Sequence, residues 1–107
     1  MSAGIDAGNV FSTTVIRLSL TPTEVATITA PTQTFTVPGV KVGDAVTVNP
    51  PGQTAGVTIG SVYVSAANTV SIQFVNPTGG NLTPAAGNHT FVVTRFDGTS
   101  PATRVLS

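Results

Sequence analysis

The chain has no cysteine, no tryptophan, one histidine and one tyrosine. Without cysteine there is no disulfide framework and no thiolate metal site, and the redox compartment leaves no mark on the composition. Charge is scarcer still. Asp, Glu, Lys and Arg make up 7% of 107 residues, four basic against four acidic, for a net charge of zero. An ordinary soluble domain carries roughly 25%. Nucleic acid requires clustered Lys and Arg, whereas Arg17, Lys41, Arg95 and Arg104 are scattered, so no nucleic-acid partner is expected. No apolar run approaches the roughly 20 residues of a spanning helix. The opening MSAGIDAGNVFSTTV has neither a basic start nor a long apolar core, so neither a membrane span nor a secretory signal is expected.

Chemistry has few residues to be built from. His89, with Asp44 or Asp97 and one of many hydroxyls, makes a triad only formally. There is no G-x-S-x-G elbow to expose a nucleophile. Asp6, Glu24, Asp44 and Asp97 are far apart and form no D-x-D-x-D-G loop, so no calcium site is expected. The expectation is a non-enzyme with no catalytic, cofactor-binding or metal-binding residues. His89 reads as a strand-start residue beside Asn88; the sharper alternative is a cluster of three copies at a three-fold axis, able to bind metal or sense pH. Asp44, after Gly43, reads as a cap on the Val42–Asp44 bend. The glycosylation triplets Asn81-Leu82-Thr83 and Asn88-His89-Thr90 are chance matches in so Thr-rich a chain. Sugar faces stack on exposed aromatics, and only Tyr63 offers a flat ring with a polar tip. Phe35, Phe74, Phe91, Phe96 and Phe11 read as core or subunit contacts.

What the chain does have is alternation. A length of 107 residues fits one domain. Residues 1–12 are small and polar and read as a flexible arm, leaving 13–107 as the folded unit. In residues 13–20, Ile16, Leu18 and Leu20 fall on one face and Arg17 and Ser19 on the other. Residues 24–30 are β-branched and read as a second run; 33–37 bury Phe35 and Val37. Val46 and Val48, Val62 and Val64, and Val70, Ile72 and Phe74 repeat the pattern, with Tyr63 on the outer side. Residues 89–96 leave two facings open, Phe91/Val93 or Val92/Phe96 inward. Pro38-Gly39, Val42-Gly43-Asp44, Asn49-Pro50-Pro51-Gly52 and Ala66-Ala67-Asn68 punctuate the runs, and Asp97-Gly98 signals a hairpin returning through Thr103–Leu106. The stretch Asn76–Asn88 is the longest loop, of a length that is often functional. The sum is an all-β, antiparallel β-sandwich, jelly-roll-like or immunoglobulin-like, with seven to nine short strands.

The segments TFTVPGVKVGDAVTVNPPGQTAGV (residues 34–57) and VSAANTVSIQFVNPTGGNLTPAAG (residues 64–87) resemble small virion structural proteins of tailed bacteriophages. The shared features are a TFTVPG-type turn, a VGD strand start, an NPP-type loop and a VSA-x-NT turn, in order, over about half of the chain. That family includes head decoration (cement) and fibre-type proteins. The resemblance implies an oligomeric β-sandwich on the outer capsid surface, a homotrimer, whose partners are its own copies and the major capsid protein. The alternative role is a head-fibre, spike or tail-tip domain that binds a host surface glycan. A neutral surface suits dense packing, because adjacent copies do not repel.

Overall fold

The computed structural model describes residues 10–96, with side chains from Ser12 onward. These residues form six strands and no helix: β1 (Val10–Leu20), β2 (Thr32–Thr36), β3 (Ala45–Asn49), β4 (Thr58–Ala66), β5 (Thr69–Val75) and β6 (Gly87–Phe96). They make two three-stranded sheets, ordered β1-β6-β3 and β2-β5-β4, and every pairing is antiparallel. The chain crosses between sheets at each connection but one. Only β4 and β5 are both consecutive and paired, across the Ala67-Asn68 turn.

The period-2 patterns assign the faces. On β1, Ile16, Leu18 and Leu20 turn inward while Val15, Arg17 and Ser19 face out. On β6 the facing resolves as Phe91 and Val93 inward, Val92 and Phe96 outward. The inner faces of both sheets share one core, with Leu20, Phe91 and Val93 from the first meeting Val64, Val70, Ile72 and Phe74 from the second. The connections complete it with Val25, Val37, Val40 and Val57. β5 is the central strand of its sheet, and even its outward Ser71 is buried, donating to Ser65 Oγ at 2.7 Å.

Among the described residues there are six strands, against seven to nine expected over the chain, and the differences within them have identifiable reasons. Residues 24–30 are not a strand. Val25 and Thr29 make single bridges to Leu82 and Asn76, and between them Ile28 sits at φ 51. A β-branched residue in the left-handed region breaks the extended run. β4 is one strand from Thr58 onward, carried through an irregularity at Gly60. β1 begins at Val10, so residues 10–12 belong to a strand and not to the expected arm, whose remaining residues 1–9 lie outside the described residues. The Asp97-Gly98 turn and the Thr103–Leu106 strand also lie outside them. Among the described residues, β6 is flanked on one side by β1 and on the other by β3.

Two turns behave as their residues dictate. Gly39, at φ 97, occupies the second corner of the Pro38-Gly39 turn, and Asn68, at φ 60, takes the left-handed corner between β4 and β5. The turns then dock on each other. Val37 N donates to Asn68 O at 2.9 Å, Asn68 N donates to Val40 O at 2.9 Å, and Gly39 N donates to Asn68 Oδ1 at 2.8 Å.

Two substitutions test this packing. Phe74 is 3% exposed, and Phe74→Ala is expected to cost about 3–5 kcal/mol. Thr34→Ala, on the outer face, should stay within about 0.5 kcal/mol of wild type. Denaturant midpoints compared across the two variants check the assignment of faces. Ile28 is 75% exposed, so replacing it loses little packing. Ile28→Asn is expected to raise stability by about 1 kcal/mol through relief of the left-handed strain.

Candidate functional site

β3 and β4 are the edge strands on the same side of the two sheets, and they adjoin each other. Between them lies a cleft of about 510 Å³. Its apolar walls come from both edges and from Phe74 and Pro84. The loop of residues 50–57 adds Pro50, Gly52, Gln53, Thr54 and Val57 to its lining. Asn49-Pro50-Pro51 cannot continue β3, because neither proline can donate to a ladder. The loop is fixed to the Asn76–Asn88 segment by Thr54 Oγ1 donating to Thr83 O at 2.7 Å. The contact is close: a Cβ on Gly56 would meet Leu82 and Thr78 side-chain carbons, each at 2.8 Å, and the residue sits at φ +93. The polar residues in the cleft's lining are Thr47, Gln53, Thr54, Thr58 and His89, and none of the residues lining it is an Asp, Glu, Lys or Arg.

His89 borders this cleft and is 1% exposed. It lies on the inner face of β6, paired with Leu18 of β1. Its Nδ1 is 2.9 Å from Gly87 O. A carbonyl only accepts, so Nδ1 is the donor to it, and in the neutral ring Nε2 is then the acceptor. Nε2 has no hydrogen-bond partner among the described residues. Leaving such a buried nitrogen unpartnered costs about 1–3 kcal/mol. His89 is thus near the start of β6, as its plainer reading has it, and on the inner face of the strand, not among its outward residues.

Asp44 sits at the other end of β6. Its bend-capping role is present: Lys41 N donates to Oδ2 at 2.9 Å. Its second partner comes from far along the chain. Arg95 donates to Asp44 through Nε at 3.0 Å and Nη2 at 2.7 Å, and Nη2 also donates to Gly39 O at 2.7 Å. The two residues are 51 positions apart, so no local pattern could announce the pair. The Arg95 guanidinium holds the Asp44 carboxyl below the usual carboxylate range, against the opposing effect of desolvation and with help from the Lys41 N–H. Arg95 is raised in turn, chiefly by Asp44. Six strand residues, about 20 Å, separate Arg95 from His89, and the structure does not bring Asp44 and His89 together.

The Asn76–Asn88 segment is internally tied. Asn76 is 0% exposed. Its amide donates to Val25 O at 3.0 Å and Gly80 O at 2.9 Å, and its oxygen accepts from Thr78 N at 3.0 Å and Thr78 Oγ1 at 2.7 Å. Both amide donors and both acceptor lone pairs are used. Thr27 Oγ1 donates to Thr78 O, and Thr27 N donates to Asn81 Oδ1 at 3.0 Å. Of the exposed aromatics, Tyr63 is 51% exposed on the outer face of β4 and does not line the cleft.

Asp44→Asn is expected to lower stability at neutral pH by about 1–2 kcal/mol, discounted because Arg95 is 29% exposed and partly screened. Because the folded carboxyl titrates below its unfolded value, the wild-type advantage should be full above about pH 5 and shrink as pH falls through 4 and below. Unfolding midpoints of both proteins from pH 7 to 2.5 check this.

The chain matches no protein-family model, no curated protein and no solved structure.

Proposed function

We propose that this chain is a phage virion structural protein, a capsid decoration (cement) protein that binds the outer head surface as a homo-oligomer and stabilises the shell. The observation that carries the reading is the near absence of charge on the outer faces of both sheets. On the first sheet, outward residues such as Thr13, Val15, Thr90, Val92 and Thr47 surround a single charge, Arg17. On the second, Thr32, Thr34, Thr36, Ser61, Tyr63 and Gln73 include none. Faces of this kind approach copies of themselves, or a capsid lattice, without like-charge repulsion. Small contacts repeated across a lattice gain strength by multivalency, and the gathered contact area opposes the pressure of packaged DNA.

The finer fold reading is jelly-roll-like. β1 lies on β6 and β2 on β5, the nested pairing of a ribbon folded over on itself. An immunoglobulin arrangement instead places the first strand in the sheet of the second, fifth and fourth. The oligomer is proposed to be a homotrimer, in keeping with the closed cyclic symmetry general among homo-oligomers.

Tyr63, exposed among hydroxyls on the second sheet, favours the other role, a fibre, spike or tail-tip domain that binds a host glycan. Copy number separates the two: hundreds per head fit cement, a handful at the tail fits host recognition. Particles lacking the protein are expected to release DNA at a lower temperature than intact ones. Equal heat resistance would end the cement reading.

A further inference from the structure

We infer that the cleft between β3 and β4 is a binding site for an uncharged, mainly apolar molecule bearing one hydroxyl or N–H donor, with His89 Nε2 as its polar anchor. This goes beyond the virion role and does not depend on it. Three observations converge. The cleft's volume, about 510 Å³, falls in the range of small-molecule sites, roughly 300–1,000 Å³. Its walls are apolar, with Val48, Val57, Ile59, Val62 and Phe74 lining it together with His89, and it offers no charge to pair with an ionic ligand. A charged molecule entering would be desolvated without compensation.

The third observation is chemical. The Gly87 carbonyl takes the Nδ1 proton as its donor, so in the neutral ring the other nitrogen, Nε2, is an acceptor and not a donor. A ligand that carries a donor satisfies the lone pair; a hydrocarbon of the same shape leaves it unpaired. Sites built around a buried polar group discriminate on this basis. The anchor is held in place. Leu18 lies opposite it on β1, and Gly87, two residues away on its own strand, fixes the ring orientation.

The test uses the full-length protein and four matched probes: benzyl alcohol, toluene, benzoate and benzylammonium. Ring-nitrogen NMR of His89 first reads the tautomer without any probe. A protonated Nδ1 with a bare Nε2 is expected, and the reverse assignment overturns the inference. Benzyl alcohol is then expected to bind saturably, shifting the Nε2 resonance and the methyls of Val57, Ile59 and Val62. Toluene should bind about tenfold more weakly, the worth of one hydrogen bond, and the two ions should not bind. Gln53→Trp fills the cleft from an exposed loop position on its rim, so it should fold normally and abolish the shifts. Equal binding of toluene and benzyl alcohol, or shifts that persist in Gln53→Trp, or no saturable shift by tens of millimolar, overturns the inference.

Discussion

The Asn68 turn clasps the Pro38-Gly39 turn through three hydrogen bonds, and the rest of the molecule depends on that contact. The Pro38-Gly39 turn lies where the chain leaves β2 in one sheet to reach β3 in the other. The Asn68 turn belongs wholly to the second sheet. Arg95, on the first sheet, reaches the same place, donating to Gly39 O and to Asp44. Two sheets with no ladder between them are thereby joined by directed bonds as well as by the core. Apolar burial supplies most of the stabilisation but is non-directional. The clasp fixes how the sheets are placed at this end.

The opposite end of the sheets is built differently. There the 50–57 loop and the Asn76–Asn88 segment hold each other through Thr54 and Gly56, and Asn76 holds residues 25–29. The long segment looks like a free loop in sequence, yet every hydrogen-bonding position of the Asn76 amide is occupied. Pro84 and Ala85 of this segment line the cleft. The single buried histidine lies beside that cleft with one nitrogen bound and one free. A chain so poor in ionisable groups places one of its few polar rings where solvent hardly reaches.

The turn motifs that carry the phage resemblance gain a physical meaning from this arrangement. VPGVKVGD supplies Gly39 and Asp44, and VSAANT supplies Asn68; the three residues meet in one network with Arg95. The outer faces contribute little to that network. Their hydroxyl and aliphatic side chains are free to meet other molecules, which is the basis of the proposed adhesive role.

The sequence by itself determined the all-β class, the inward rows of β1, β3, β4 and β5, and the left-handed corners at Gly39 and Asn68. These follow from period-2 alternation and from what Gly and Asn backbones tolerate, both local properties. It also located the Asp44 cap, whose partner is three residues away. Only the tertiary structure decided the rest. The facing of β6 was ambiguous because Phe91, Val92, Val93 and Phe96 are all apolar, and the pairing with β1 and β3 selected the row that meets the core. The expected strand at 24–30 failed because single bridges and a left-handed Ile28 override its β-propensity. The Arg95–Asp44 pair, the Asn76 anchor and the His89 cleft join residues distant in the chain. Such contacts arise when strands from the two sheets are brought together, and no local pattern encodes them.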